Sequence, residues 1–358
     1  MVLATAWRVT VNGNDASDAM NPYITAIEVV DKAGGSSDSA TLEFDDTDGQ
    51  VRLPSKGNPV EIALQGVIVF KGVVDEAESS GARGGGMTLS VSCKSVDKRG
   101  KTKQKQHKHK DDATLKEFLE QAAKDAGLSG IKADKTLGAI KRPYWSTEGR
   151  SFLQLGQELA EEFGATFKIQ GNQAVFAARG GGATPGGGTM PSVEATRPGN
   201  LISWKITPKE TRPRYAKARV RWYDRKEGKW KQEDVEIGAS PGAPEVFDLP
   251  TAPRATKDHA TDAGKGRKAE SEREGGSGEV TILLEVAAKA EGTCVVSGCR
   301  SGVDGTYRIE SVTHKVSRSG AETTLSLKQP QGSAGSDERS SDGESDSSSS
   351  GNTGSGSP

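Results

Sequence analysis

Phe70-Lys71-Gly72-Val73-Val74-Asp75-Glu76-Ala77-Glu78 runs into Thr88-Leu89-Ser90-Val91. Far along the chain, Tyr307-Arg308-Ile309-Glu310-Ser311-Val312-Thr313-His314 runs into Thr324-Leu325-Ser326-Leu327. Each reads as a long strand, a turn and a closing strand, because apolar and polar residues alternate at the period of a pleated sheet. Gly57-Asn58-Pro59-Val60 leads into the first and Gly292-Thr293-Cys294-Val295 into the second. The recurring order fits generic antiparallel grammar, or it records two copies of one small barrel.

Working outward, Trp7–Val11, Ile24–Val30, Ala40–Phe44, Val60–Leu64, Val67–Val74 and Thr88–Cys93 make six short strands parted by Gly, Asp and Asn turns. That grammar predicts a small barrel or sandwich. Strand patterns return after Leu201: Ala218–Tyr223, Val280–Val286, Cys294–Val296, Tyr307–Val316 and Thr323–Leu327. Between about 98 and 180 the period changes. Leu115, Phe118, Leu119, Ala122, Ala123 and Ala126 line one helical face, with Thr114 and Glu117 at capping-box spacing and Gly127 at the stop. Phe152, Leu155, Leu159, Ala160 and Phe163 form a second helix ending at Gly164, and a hairpin follows over Ala165–Phe176. Thr256–Arg273 is charged and broken by glycine, so it reads as at best a solvated helix. The expected fold is α+β, mainly β: a first β-barrel over 1–97, an α+β insertion over 98–180, a Gly-rich linker over 181–200, a second β-barrel over 201–331, and a disordered Ser/Gly/Asp tail over 332–358.

The 358 residues carry 48 Lys+Arg against 49 Asp+Glu, a near-balance that argues against a general nucleic-acid or membrane-surface binder. No stretch reaches the roughly 18 apolar residues of a membrane helix, and the first residues lack the basic and apolar regions of a signal peptide. Aromatics at 5% and 45 glycines suit a turn-rich β protein better than a helical enzyme with a large core. Cys93, Cys294 and Cys299 are too few for a disulfide framework and read as reduced, strand-buried thiols of a protein made in a cytoplasm.

Candidate chemistry is sparse. Arg99-Gly100-Lys101-Thr102 ends like a phosphate-binding loop, yet Ser95 stands where the first glycine belongs. Asp46-Thr47-Asp48-Gly49 resembles a calcium loop, but Phe44 and Ser55 occupy its first and last ligand positions, so it reads as a turn. His107 and His109 sit among lysines that repel a cation, and no metal or cofactor is expected. No catalytic constellation emerges, and the chain reads as a non-enzyme. The densest basic run puts seven Lys/Arg between Lys98 and Lys110. In an extended strand, Lys101, Lys103, Lys105, His107 and His109 share one face, a stripe suited to an acidic partner surface or a phosphate backbone. A solvated face is the plainer reading, and no aromatic interleaves the run to stack on bases.

Several stretches carry a resemblance. Ile24-x-x-Ile27-Glu28-Val29-x-Asp31 is followed by Ser37-Asp38-Ser39-Ala40-x-Leu42-x-Phe44-Asp45-x-x-Asp48-Gly49. Next come Gly57-x-x-Val60-x-Ile62-x-Leu64 and Phe70-x-Gly72-x-Val74-Asp75-Glu76. Ser151-Phe152-Leu153-x-Leu155, Glu162-Phe163-Gly164-Ala165-x-Phe167 and Val175-Phe176-x-x-Arg179-Gly180 belong to the middle. Gly305-x-Tyr307-x-Ile309-x-Ser311-Val312-x-His314 and Thr323–Leu327 close the set. In this order and spacing, over roughly 20–330, the chain resembles the phage late control gene D family, tail hub proteins similar to the hub portion of VgrG-type spikes. It departs from that pattern at Glu148-Gly149-Arg150-Ser151, where the family has an acidic Glu-Ser-Asp signature, and at Ala321, near the expected closing aromatic. The resemblance implies a structural homotrimer in the virion baseplate, assembled in the bacterial cytoplasm. Two barrels per chain would present six near-equivalent units to the tail tube protein, while the other side keeps threefold symmetry for the central spike protein, with other baseplate proteins around it. A tail-associated cell-wall hydrolase is the alternative, and a nucleic-acid-binding late regulator a third reading.

Overall fold

The computed structural model describes residues 3–34, 37–95, 100–170, 172–179, 190–208, 216–237, 247–248, 254 and 256–335. Residues 181–189 of the expected Gly-rich linker and nearly all of the expected tail lie outside them, whereas 190–200 are described and include a strand, Ser192–Thr196, where linker was expected. Six main strands open the chain: β1 (Trp7–Val11), β2 (Ile24–Lys32), β3 (Ser39–Asp45), β4 (Pro59–Leu64), β5 (Val67–Ala82) and β6 (Gly86–Lys94). An insertion follows with β7 (His109–Thr114), α1 (Leu115–Asp125), β8 (Ile131–Ala133), β9 (Lys141–Ser146), α2 (Phe152–Phe163), β10 (Ala165–Gln170) and β11 (Gln173–Ala178). The rest contains β12 (Ser192–Thr196), β13 (Leu201–Thr207), β14 (Lys217–Asp224), β15 (Lys229–Glu236), α3 (Lys257–Arg273), β16 (Ser277–Leu283), β17 (Thr293–Ser297), β18 (Gly305–Ser317) and β19 (Ala321–Gln331).

The opening strands pair in the order β2-β3-β6-β5-β4-β1, and the closing ones in the order β13-β16-β19-β18-β17-β12. Taken by rank in sequence, these are the same order. The registers coincide as well. Val74 faces Cys93 and Glu76 faces Ser92 across a bulge at Asp75; Ile309 faces Leu327 and Ser311 faces Ser326 across a bulge at Glu310. A second bulge follows Ile24 in β2 and Leu201 in β13. Even the turn into the fourth strand repeats. Val74 N–H donates to the Asn58 carbonyl and Gly57 N–H to that of Val74, while Ile309 N–H donates to Gly292 and Glu291 N–H to Ile309. Gly57 and Glu291 both take the left-handed conformation this turn requires (φ 88° and 68°). The outermost strand differs in direction, since β1 runs antiparallel to β4 whereas β12 runs parallel to β17, and only the second half carries β14, β15 and α3 between its second and third strands.

β18 continues past β17 and pairs antiparallel with β2, so both halves belong to one sheet, thirteen-stranded when the two-residue strand Asn14–Asp15 beside β1 is counted. Each half keeps its own core. Val9, Ile24, Ile62, Leu64 and Leu89 centre the first; Ile282, Cys294, Tyr307, Ile309 and Leu327 centre the second. Among the described residues no ladder joins β1 to β2 or β12 to β13, so strand pairing does not close either half into a barrel.

The insertion packs α1 against β7 and β8 and α2 against β10 and β11, with Phe118, Leu119, Phe152 and Phe167 in one core. Both helices carry the capping boxes that Thr114/Glu117 and Ser151/Gln154 supply, and Gly164 ends α2 in the left-handed conformation. Thr256–Arg273 departs from expectation. It forms a 17-residue helix that buries Ala260, Ala263 and both interior glycines against β14, β15 and α2. A Cβ on Gly264 would lie 2.4 Å from Val235 Cγ2, and one on Gly266 2.7 Å from the Glu162 carbonyl. The glycines permit close approach, which hydrophobic periodicity does not register. Asp46–Gly49 is a turn as read, with the Asp46 carboxylate accepting from Val51 N–H at 2.9 Å. The cysteines are free; Cys93 and Cys294 are buried in strands, but Cys299 lies half-exposed in the turn after β17.

Candidate assembly interface

The basic run is not one strand. Lys101–Lys103 forms a 3₁₀ turn packed on α2, with Thr102 buried beneath it. Lys105 bridges to Ser151 at the start of α2, and Gln106 turns inward, its amide donating to the Ala122 carbonyl at 3.2 Å. Extended pairing begins at His109, in β7, whose partner is β9. Lys101, Lys103, Lys105, His107 and His109 are nonetheless all exposed, because the inward positions fall to Thr102 and Gln106. An aromatic does reach the run from the neighbouring strand: Tyr144, 55% exposed, stacks on His109 with ring centroids 5.9 Å apart. Sequence proximity could not show this contact, since the ladder supplies it.

Buried ion pairs tie the insertion to the sheet. Lys168 in β10 reaches both Asp31 in β2 and Asp38, the latter at 3.1 Å. Burial pushes the Asp38 carboxyl up to about 6 against the pull of Lys168, while on Asp31 the lysine and the Ala290 N–H outweigh burial and hold it low. On the second half, Arg273 at the end of α3 pairs with Glu291 and Glu310, and Thr166 of the insertion donates to Glu291 at 2.9 Å. Arg142 pairs with Glu162 at 2.9 Å and lies over the Trp145 and Phe163 rings. Asp75 and Glu310, the two bulge acids, thus each hold a cation: Lys94 with Lys56, and Arg273.

Among the described residues, β13 and the far end of β5 present open sheet edges. β13 is the terminal strand of its half, with β18-side pairing supplied only through β16, and it exposes Ile202 (52%) and Trp204 (38%). β5 runs to Ala82, four residues beyond the long strand read through Glu78. Over Glu76–Ala82 it pairs with β6 on one side and with no described strand on the other, because its ladder with β4 ends where Pro59 faces Val73. Neither edge was singled out by composition, as both are polar or short; the signal available was the acid after the buried aliphatic in Val74-Asp75 and Ile309-Glu310.

His314 is buried beside Thr323, its Nδ1 3.0 Å from the hydroxyl, and burial lowers it to about 4. No group of three or more His, Cys, Asp or Glu able to hold a metal occurs among the described residues. One Gly-x-Ser-x-Gly spacing, Gly238-Ala239-Ser240-Pro241-Gly242, lies outside the described residues. The side-chain clusters above act as braces, and the open surfaces are edges and charge.

No family model matches the chain. It is 28% identical over 245 residues to a protein of Escherichia phage 186 named "Probable baseplate hub protein", covering 67% of this chain and 61% of that one. A protein of the same name from Escherichia phage P2 is 27% identical over 200 residues, covering 54% of this chain and 51% of that one. The chain thus spans between half and two thirds of the length of these curated relatives. Among solved structures, the 43 kDa tail protein of prophage MuSo2 from Shewanella oneidensis shares the fold with a TM-score of 0.69 at 16% identity, over 90% of this chain and 98% of that one.

Proposed function

We propose that this chain is a structural baseplate hub of a contractile phage tail or phage-like particle, a homotrimer that adapts a sixfold tail tube to a threefold central spike. The observation that carries this reading is the duplicated six-strand ladder, matched in order, register and bulges. A chain with two near-equivalent β units offers six of them when three copies surround an axis, so a sixfold ring of tube protein meets six similar surfaces. The added elements break the equivalence, because each chain has one insertion between its halves and only the second half carries β14, β15 and α3, so the opposite side is left with threefold symmetry. The names and fold of the relatives point the same way.

The two halves act as twin barrels in this reading, with partners closing the edges that the isolated chain leaves open. The Lys168 ion pairs and the Thr166–Glu291 hydrogen bond keep insertion and sheet in one orientation, which a symmetric assembly needs, and Arg273 fixes α3 to the second half. The exposed lysines and histidines of residues 101–109 would dock an acidic surface of the spike or another baseplate protein. The chain is made in the host cytoplasm and ends in the virion tail, and its work requires no catalytic step. The test is fractionation of sheathed tails: the chain should co-purify with tube and sheath, and tails assembled without it should lack a spike. A zymogram showing cell-wall cleavage by the purified chain would instead favour a tail-associated hydrolase.

A further inference from the structure

The intrachain junction between the halves is built by β18, whose outer edge over Ser311–Ser317 receives β2. The repeat gives that junction a counterpart. Ser311–Ser317 corresponds to Glu76–Ala82 of β5, counting from the shared bulge, and Ala26–Val30 of β2 corresponds to Ser203–Thr207 of β13. Both counterparts are exposed edges, and no described strand pairs with either. We propose that β13 of one copy of this chain adds antiparallel to Glu76–Ala82 of β5 in a neighbouring copy, repeating between chains the pairing that β2 makes with β18 within one. The inference rests on the hub reading for its closure into three members, but its register comes from the ladder alone.

That register is specific. Within the chain Thr313 faces Val30, His314 faces Val29, Lys315 faces Glu28, Val316 faces Ile27 and Ser317 faces Ala26. Transposed, Glu78 faces Thr207, Ser79 faces Ile206, Ser80 faces Lys205, Gly81 faces Trp204 and Ala82 faces Ser203. The side chains fit this alignment. Gly81 has nothing to pack across a strand, and the 38%-exposed indole of Trp204 lies opposite it, the large-over-small arrangement by which an aromatic covers a strand glycine. In the intrachain junction the same place holds Val316 against Ile27, both fully buried. Lys205 falls diagonal to Glu78 on one face, within reach of a long side chain. Each copy offers one β13 and one β5 edge, so the contact is head-to-tail and closes only as a ring, which satisfies edges otherwise open to aggregation.

Cysteine cross-linking tests it in assembled particles. Tails carrying Ser80→Cys and Lys205→Cys together, on a Cys299→Ser background, are treated with a short bismaleimide. Glu28→Cys with Lys315→Cys, the equivalent intrachain pair, serves as the reference for reactivity. The expected result is a ladder of covalent dimers and trimers from the double variant, at least tenfold above either single variant, while the reference pair yields only internally linked monomer. A chain that enters tails but gives no interchain product overturns the proposal and leaves the hub reading standing. Absence of the chain from tails overturns that reading, and this proposal with it. In solution, Trp204→Asp should abolish self-association without changing the circular dichroism spectrum; unchanged association by that variant also overturns the pairing.

Discussion

Replacing Lys168 with methionine should cost this protein several kcal/mol, and more at neutral pH than at pH 5. The Lys168 side chain is about 10% exposed and lies between Asp31 and Asp38, themselves largely enclosed. Methionine keeps the stem's volume but leaves two carboxylates facing each other without a cation. Removing one partner of a buried ion pair destabilises by about 3–5 kcal/mol. The sign of the pH effect follows from Asp38. Its carboxyl titrates near 6 in the folded protein, above its usual 3.8, so the folded state binds more protons than the unfolded chain between those values. The Asp38 contribution to stability therefore rises as pH falls through that window, and without Lys168 the carboxyls rise further, making the relief larger. Urea denaturation followed by tryptophan fluorescence, at pH 7.5 and pH 5, measures both quantities. A loss below about 1 kcal/mol at pH 7.5, or an equal loss at the two pH values, would refute the assignment of Lys168 as the brace between insertion and sheet.

Gly266→Ala should lower the melting temperature even though alanine gains roughly 1 kcal/mol of helix propensity, because the added methyl meets the Glu162 carbonyl at 2.7 Å; a raised melting temperature would contradict the close packing of α3 on α2. His314 binds its proton only near pH 4 when folded but near 6.5 when unfolded, so its contribution to stability should decline as pH drops between these values, by about 3 kcal/mol in all. In His314→Asn that decline should flatten in the same denaturation series, and an unaltered slope counts against the buried site. Changing Lys101, Lys103 and Lys105 together to glutamate should block incorporation into baseplates while leaving the circular dichroism melt within 2 °C of the parent, since all three are exposed; normal incorporation would remove the basic run from the docking surface.

Much of the fold was legible because it rests on short-range periodicity. The strands from Trp7 to Cys93, both capping boxes and the hairpin after Gly164 all follow from side-chain spacing and local hydrogen bonding. The repeat was visible only as an echo, since its two copies share bulges and register far more than residue types: Val74-Asp75-Glu76 and Ile309-Glu310-Ser311 have in common one aliphatic and one acid. α3 was underestimated because its apolar face is made of alanine and glycine, whose burial depends on what packs against them. The basic run was read as a strand from alternation that Lys101–Lys103 does not follow, where packing on α2 winds the chain into a turn. The open edges of β5 and β13 are properties of the ladder, and no single stretch of sequence encodes them.

The number of copies in a sheathed tail, counted from the density viewed along the tail axis, tests the hub account most directly. It predicts three chains around that axis, each placing its two ladders sixty degrees apart against one ring of tube protein. Six chains in that ring, or a single one, would contradict it.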